Sequence, residues 1–307
     1  MMRICFLGSG ALGSCLGGIL TEAGMEVYLI DIWKEHVDAM DRQGLVIREG
    51  SSERIVKVRA ATDYSGIEPA DLIIILVKSY DTKEAIENAG PIVGEKTVVL
   101  SLQNGLGNEE ILADVLGKER VIGGRTYAGG VLIGPGHVIV GRKGKQTHIG
   151  ELDGRITERV SEIARQFNRA GLETIISTNI IGMMWDKLLI NVATGAFSGI
   201  TRLPYGGLYK VKEVMDGAVE AISEGIAVAK ASGVELSITD PKKIWFKAAE
   251  GLPPEFKASI LQSIEKGVKT EIDFINGSVV RLGEKYKIPT PVNRVLVAGI
   301  KGIEYHQ

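Results

Sequence analysis

Cysteine and aromatic residues are scarce in this sequence, which has two cysteines and 6% phenylalanine, tyrosine and tryptophan in 307 residues. Two cysteines cannot form the disulfide framework of a small secreted domain. Cys5 and Cys15 also do not stand in metal-ligand spacing with any of the four histidines. We therefore expect reduced, buried thiols, a cytoplasmic location and no bound metal.

An excess of charge of either sign is lacking as well. The 36 basic and 38 acidic residues leave a formal charge of −2, which excludes the strongly basic surface typical of nucleic-acid-binding proteins. The first residues, MMRICFLGSG, do not resemble a signal peptide. We expect a small-molecule partner, no nucleic acid and no membrane; the oligomeric state is left open, with a homodimer as one possibility.

A glycine-rich turn stands near the start, between an apolar strand and an apolar-periodic helix. In such a turn the first glycine permits the bend, the second lets backbone N–H groups approach a pyrophosphate, and the third lets the helix pack on the strand. The strand–turn–helix context makes this motif specific. It predicts that a dinucleotide binds at Gly8, Ser9, Gly10, Ala11, Leu12 and Gly13.

The second predicted strand, EVYLID, ends at Asp31, which follows Gly8 by 31 − 8 = 23 residues. From this position a carboxylate reaches the ribose diol of the adenosine. It would repel a 2′-phosphate, so Asp31 favours NAD(H) over NADP(H). Lys34 and His36 follow closely and could supply compensating positive charge.

Two further apolar runs, ADLIIILVK and KTVVLSLQN, have the composition of strands in a parallel sheet that is covered on both faces. Lys78 and Asn104 follow these runs. Ligands bind beyond the carboxyl ends of such strands, so both residues are candidates for the cofactor site. Gly105 and Gly107 strengthen Asn104, because glycine allows a ligand to approach closely. Short runs between residues 123 and 150 predict an antiparallel extension.

The strand pattern stops after ARQFNRAGLETIIS, and the remainder has the periodicity of helices. We predict an α/β fold with an N-terminal Rossmann-type doubly wound sheet in residues 1–177. A C-terminal all-helical substrate domain is predicted in residues 178–307.

Lys187 stands in an apolar run from Ile180 to Ile200. The run is long enough to span a bilayer, but a charged Asp–Lys pair near its middle makes that costly. On a helix, four polar side chains form one stripe, at Lys187, Asn191, Thr194 and Ser198. We expect this stripe to face a cleft, where desolvation would lower the pKa of the lysine and make it a better proton donor.

Ser259 and Glu271 stand 271 − 259 = 12 residues apart, which is about 18 Å on an unbroken helix. Gly267 and the Thr270-x-x-Asp273 spacing predict a break, with Thr270 capping a new helix that begins at Glu271. Such a break could bring both residues to one cleft. The alternative is that Glu271 only complements the helix dipole.

These segments together resemble the ketopantoate reductase family, in order and spacing: GSGALG, VKSYDT, QNGLGNEE, GPGHVIVG, WDKLLINVA and KTEIDFING. The resemblance implies reduction of 2-dehydropantoate to pantoate with a nicotinamide cofactor, as in pantothenate biosynthesis. It makes Lys187 the general acid and Asn191 and Ser259 substrate ligands. It also implies that Glu271 keeps the substrate and the lysine in register and that Asn104 lies beside the nicotinamide and the substrate.

The sequence departs from the family pattern at three positions. Gly195 and Phe256 stand where family members often have asparagine, and Asp31 stands in a family whose best-known members prefer NADP(H). The alternative enzyme is an NAD-dependent D-2-hydroxyacid dehydrogenase acting on another branched or aromatic 2-keto acid. A dinucleotide-sensing regulatory protein is the alternative outside catalysis.

Overall fold

The structure is a computed structural model that describes residues 2–141 and 144–306. The chain divides into two compact units. Unit 1 comprises Met1–Gln103 and Asn108–Ile180, and unit 2 comprises Asn104–Gly107 and Ile181–Gln307. The short segment 104–107 therefore belongs with the C-terminal residues, although it directly follows a strand of unit 1.

Unit 1 alternates strands and helices. Along the chain they are β1 (Arg3–Leu7), α1 (Ala11–Glu22), β2 (Glu26–Ile30), α2 (Lys34–Gln43), β3 (Leu45–Glu49), β4 (Ser52–Val56), β5 (Arg59–Ala61), β6 (Ala70–Ile75), α3 (Thr82–Asn88), β7 (Val93–Ser101), α4 (Asn108–Leu116), β8 (Val121–Thr126), β9 (Gly129–Gly134), β10 (His137–Gly141), β11 (Thr147–Glu151), α5 (Glu158–Arg169) and β12 (Thr174–Ile176).

The main sheet has eight strands in the order β12-β11-β8-β7-β6-β1-β2-β5. Neighbouring strands are parallel except β8 and β11, which are antiparallel. The chain leaves β1 toward β2 on one side and returns to β6 on the other. This reversal of strand order is the switch point at which open α/β sheets bind ligands, and the glycine turn follows β1 directly.

Both faces of the main sheet are buried, as the continuous apolar runs predicted. Ile4 and Phe6 of β1 belong to one hydrophobic cluster and Cys5 and Leu7 to another, because successive side chains of a strand point to opposite faces. Both cysteines are buried thiols, and burial raises the pKa of the Cys5 thiol to about 12. The predicted parallel, doubly covered sheet is confirmed.

A second, four-stranded sheet has the order β4-β3-β10-β9. β9 and β10 form the antiparallel pair expected between residues 123 and 150, and β10 pairs in parallel with β3. The strands from residues 121 to 151 are thus divided between two sheets. The sequence did not predict β3 and β4, whose segments LVIRE and SERIV are short and carry several charges.

Unit 2 is helical, as predicted. Its helices are α6 (Ile180–Thr201), α7 (Tyr205–Leu208), α8 (Lys212–Ala231), α9 (Pro241–Ala248), α10 (Ser259–Glu265), α11 (Asn276–Tyr286) and α12 (Pro291–Tyr305). Leu189 and Ala193 of α6 share a hydrophobic cluster with Trp245 of α9. Among the described helices, α6 alone is long and apolar enough to cross a membrane, and 61% of that window is buried inside the protein.

Candidate active site

Two glycines of the turn are required by the packing of unit 1 itself. Gly8 has φ +92°, and a Cβ on it would lie 2.5 Å from the backbone nitrogen of Val77. A Cβ on Gly13 would lie 2.2 Å from the carbonyl oxygen of Gly8. A side chain at either position would collide with backbone atoms. These two glycines therefore allow β1, α1 and the segment after β6 to pack closely.

Gly10 differs, because the protein leaves room for a side chain there. A Cβ on Gly10 would meet no described atom within 4 Å outside its chain neighbours and its own helix. Within the described chain, α1 has neither a side-chain cap nor an acidic residue in its first turn. The N–H groups of that turn and the positive end of the helix dipole suit an anion. The turn therefore fits a dinucleotide pyrophosphate.

Asp31 is held against this turn by two backbone groups. Its Oδ2 accepts a hydrogen bond of 2.7 Å from the N–H of Ser9, and its Oδ1 accepts one of 2.9 Å from the N–H of Trp33. A carboxylate has about four acceptor positions, so two such bonds leave capacity for ribose hydroxyls. The acid is thereby oriented beside the glycine turn.

His36 does not supply the positive charge that its place in the sequence suggested. The ring is fully buried, its Nδ1 accepts from the N–H of Gly136 at 2.9 Å, and its Nε2 lies 2.9 Å from the carbonyl oxygen of Ser9. These partners require the neutral tautomer with the proton on Nε2. Burial also lowers the pKa of His36. The neutral side chain therefore binds the backbone of the glycine turn at Ser9.

Lys34 is engaged elsewhere. Its Nζ donates to both carboxylate oxygens of Asp38 at 2.8 Å, one turn along α2. Lys34 and His36 were the two residues that could have balanced the charge of a 2′-phosphate next to Asp31. In this conformation neither is available, because His36 is neutral and buried and Lys34 is paired with Asp38.

Lys78 and Asn104 follow β6 and β7 by three residues each, and these two strands are neighbours in the main sheet. Lys78 is exposed and Asn104 is half-buried. Both residues have interactions within the protein, and Asn104 belongs to unit 2.

The glycine after Asn104 has a structural purpose, which corrects its interpretation as room for a ligand. Gly105 has φ +85°, and a Cβ on it would lie 2.4 Å from the carbonyl oxygen of Phe274. The next residue, Leu106, donates its N–H to that same oxygen at 2.9 Å. Segment 104–107 is therefore bound to the backbone just after Glu271, within unit 2.

Lys187 and Asn191 lie one turn apart on α6, and both are half-buried. The prediction that the whole polar stripe faces a cleft is wrong for its other two members. Thr194 is 1% exposed and its Oγ1 lies 2.9 Å from the hydroxyl of Tyr205, while Ser198 is fully buried and donates to the carbonyl oxygen of Leu203 at 2.7 Å. The helical periodicity correctly placed these two hydroxyls on one face of α6. It could not show that the segment from Leu203 to Tyr205 covers them.

The first residue of α10, Ser259, is exposed. Its neighbour Ile260 packs on α6, because a Cβ on Gly195 would lie 3.2 Å from Cδ1 of Ile260. Gly195 is the position where family members often have asparagine. Here α10 occupies the space beside it, one turn beyond Asn191, so the missing side chain is replaced by the approach of a second helix.

Glu271 lies at a break between helices, as expected, but the prediction of a helix that begins at Glu271 is wrong, because only a short 3-10 turn follows it and α11 begins at Asn276. α10 ends at Glu265, Gly267 has φ +64°, and a single 3-10 turn occupies Ile272–Phe274. The hydroxyl of Thr270 accepts a hydrogen bond of 3.2 Å from the N–H of Ile272. Glu271 precedes the short turn by one residue and is 7% exposed, so a carboxyl group is held in a largely buried position.

Two buried polar residues of unit 1, Ser14 and Glu109, and the half-buried Gln103 were not identified from the sequence. Ser14 donates to the carbonyl oxygen of Ser9 at 2.6 Å, and Gln103 donates to that of Val77 at 2.8 Å. The only signal for Ser14 and Gln103 is their position, just after the glycine motif and just after β7.

The features of unit 1 define its class. A glycine turn at the switch point, an open helix N-terminus and an oriented acid at the end of β2 are the parts of a Rossmann-type dinucleotide-binding domain.

The chain belongs to the ketopantoate reductase family, whose members are nicotinamide-dependent oxidoreductases. The family model for ketopantoate reductase PanE/ApbA matches residues 4–154, and the model for the C-terminal part of the same family matches residues 179–304.

Similar proteins agree with this assignment. A 2-dehydropantoate 2-reductase of Pyrococcus horikoshii is 38% identical over 303 residues, covering 99% of this chain and 98% of the relative. The crystal structure of a PanE/ApbA family ketopantoate reductase from Ralstonia eutropha JMP134 has a TM-score of 0.90 and 36% identity, with 99% of both chains covered. A ternary structure of D-mandelate dehydrogenase with NADH and anilino(oxo)acetate has the same TM-score at 27% identity, again with 99% of both chains covered.

The two alternatives are therefore not favoured. The D-mandelate dehydrogenase, at 27% identity, is less similar in sequence than the Pyrococcus horikoshii and Ralstonia eutropha proteins, at 38% and 36%. The hypothesis of a regulatory protein that only binds the dinucleotide does not agree with membership of a family of reductases.

Proposed function

We propose that this chain reduces 2-dehydropantoate to pantoate and prefers NADH as the reductant. The proposed reaction rests on family membership, which covers both units. The proposed choice of cofactor rests on Asp31. A reduced nicotinamide cofactor, held through its pyrophosphate at the glycine turn, would supply the hydride that the 2-keto carbon receives.

In this proposal Lys187 protonates the alkoxide that develops on the substrate oxygen. Asn191, one turn along α6, and Ser259, at the start of α10, hold the polar groups of the substrate. Glu271 keeps the substrate and the ammonium group in register, and Asn104 contributes to binding of the substrate and the nicotinamide. The half-burial of Lys187 and the burial of Glu271 support these roles, because charged groups strengthen their interactions where water is partly excluded.

The preference for NADH follows from the charges around the ribose position. Asp31 presents a carboxylate, His36 is buried, and Lys34 is paired with Asp38. A 2′-phosphate would meet one negative charge with no free partner among these neighbours, whereas a ribose diol can donate to the acid.

The decisive experiment compares kcat/KM for NADH and NADPH with 2-dehydropantoate, and then with a panel of branched and aromatic 2-keto acids. We expect 2-dehydropantoate to be the best substrate and NADH to be favoured. A tenfold advantage for NADPH would exclude the role given to Asp31, and an aromatic 2-keto acid as the best substrate would exclude the proposed reaction.

Three further points belong to the proposal. They are a cytoplasmic location, a possible homodimer, and a functional boundary near residues 177 and 178. Sedimentation of the purified protein tests the assembly, and limited proteolysis tests the boundary.

A further inference from the structure

The last turn of α12 carries an acid that the helix dipole disfavours. A helix C-terminus stabilises cations rather than anions, yet Glu304 stands one residue before the end of α12. Its side chain is only 13% exposed. A carboxylate in this position needs partners that compensate both for the dipole and for the loss of water.

The main partner of Glu304 is the residue just before Glu271. Oε1 of Glu304 accepts two hydrogen bonds from Thr270, one of 2.8 Å from its N–H and one of 2.6 Å from its hydroxyl. The same hydroxyl accepts a hydrogen bond of 3.2 Å from the N–H of Ile272. The residues on both sides of Glu271 are thus joined to one carboxylate, Thr270 directly and Ile272 through the threonine hydroxyl.

Lys301, one turn before Glu304 on α12, forms a second link to this segment. Its Nζ donates to Oδ2 of Asp273 at 2.5 Å and lies 3.2 Å from Oε2 of Glu304. Burial acts to raise the pKa of Glu304, but the hydrogen bonds from Thr270 and the ammonium group of Lys301 together lower it. Each oxygen of an ionised carboxylate therefore has a partner, Oε1 in Thr270 and Oε2 in Lys301.

α12 is itself fixed to two other helices of unit 2. At its start, the carboxylate of Glu224 on α8 accepts backbone hydrogen bonds of 2.8 and 3.0 Å from its first turn. Further along, Ile300 is fully buried, and a Cβ on Gly199 of α6 would lie 2.7 Å from its Cδ1. α12 therefore contacts α6, which carries Lys187, and also holds the segment that carries Glu271.

We propose that Glu304 is a positioning residue for Glu271, and that Glu304, Lys301 and Thr270 form a clamp that fixes the orientation of the Glu271 carboxyl group. The proposal rests on the role that the proposed function gives to Glu271. Glu304 touches neither substrate nor cofactor in this arrangement and acts through the backbone on both sides of Glu271. Groups that orient a reacting substrate must be held to within about 0.5 Å, which a backbone fixed on both sides allows.

Glu304→Leu tests the clamp because it removes the carboxylate and keeps a side chain of similar volume. We expect kcat/KM for 2-dehydropantoate to fall about tenfold or more, since a misplacement of about 1 Å can cost about 10²-fold. The affinity for NADH, measured by fluorescence titration, should stay unchanged because the glycine turn lies in unit 1. Glu304→Gln should recover most of the lost activity, because its amide oxygen can still accept both hydrogen bonds from Thr270.

Glu284→Leu is the matched control. Glu284 on α11 accepts a hydrogen bond of 2.8 Å from Arg294 on α12, and both side chains are exposed. The substitution removes the same kind of group from the contact between these two helices without reaching the segment of Glu271. We expect this variant to keep the kcat/KM of the unchanged protein.

A double-mutant cycle separates positioning of Glu271 from general support of the fold. If Glu304 acts through Glu271, Glu304→Leu should lower kcat/KM by less than about threefold in a chain that already carries Glu271→Gln. A residue with a merely structural role would give the same proportional loss in both backgrounds. That result would overturn the proposal.

Thr270→Val tests the clamp from the other side, even if Glu304→Leu folds poorly. Valine lacks the hydroxyl, so the hydrogen bonds to Glu304 and from Ile272 are both lost. We expect kcat/KM to fall at least about threefold with unchanged NADH affinity. Full activity of Thr270→Val or of Glu304→Leu would overturn the proposal alone, whereas full activity of Glu271→Gln would overturn the role of Glu271 in the proposed function and the clamp with it.

Discussion

Replacing Gly10 with alanine should separate cofactor binding from folding. The added Cβ would meet no described atom within 4 Å outside its own chain neighbours and helix. Gly10 also has φ −59°, and its ψ of −157° lies only about 23° outside the β region that alanine adopts. We therefore expect the melting temperature to change by less than about 2 °C, or to rise slightly because alanine has fewer unfolded conformations to lose.

The cost to binding follows from the position of the methyl group. It would occupy the space beside the first N–H groups of α1, where the pyrophosphate must approach. Loss of one charge-assisted hydrogen bond costs about 1.5 to 3 kcal/mol, and 1.4 kcal/mol corresponds to a tenfold change in affinity. We expect the dissociation constant for NADH to rise about 10- to 100-fold.

Gly13→Ala is the matched control, because we expect it to lower the melting temperature, which Gly10→Ala should leave nearly unchanged. Its Cβ would stand 2.2 Å from the carbonyl oxygen of Gly8, so the backbone must move. Such overpacking typically costs about 1 to 3 kcal/mol, with a loss of about 2 to 4 °C in melting temperature per kcal/mol in a domain of this size.

Thermal melts and NADH titrations of the two variants, measured side by side, test the reasoning. If Gly10→Ala binds NADH as tightly as the unchanged protein, the pyrophosphate does not lie at this turn. If Gly10→Ala instead melts several degrees lower, the protein does not have room for a side chain at this position.

Two predictions concern unit 2. Lys187→Ala should lower kcat by about 10² to 10⁴ because it removes a positioned general acid, while NADH titration should give an unchanged affinity; a loss below about fivefold in a folded variant would contradict the assigned role. Glu271→Gln should reduce turnover but leave the melting temperature nearly unchanged, since glutamine has nearly the same size and shape and fills the same buried position. A variant that unfolds would show instead that this acid is structural.

Local patterns were sufficient for β1, β2, β6 and β7 of the main sheet and for α6. β1 was predictable because Ile4, Cys5, Phe6 and Leu7 are apolar without alternation, which only a strand buried on both faces requires. The helix break before Glu271 was predictable for a similar reason, because Gly267 and Thr270 are local signals of a helix end and a new start.

Contacts between distant segments could not be predicted in this way. β3 and β4 each carry an arginine and a glutamate in five residues, and β3 pairs with the distant β10, so neither could be recognised from its own residues. The interpretation of Gly105 was wrong because the residue that needs its space, Phe274, lies 274 − 105 = 169 positions further along the chain. Glu109 could not be recognised as buried, since NEE at a helix start has the same sequence whether it faces water or the core.

The parallel pairing of β3 with β10 has a consequence for how the chain folds. The pair Val46 and His137 joins positions 137 − 46 = 91 residues apart, so the second sheet forms only after a long loop has closed, and contacts of this kind slow folding. Until β10 is available, one edge of β3 has no partner, and such edges promote association between chains. A fragment that ends between α4 and β9 would contain the whole glycine turn and yet carry an exposed strand edge, which makes it a poor substitute for the intact unit.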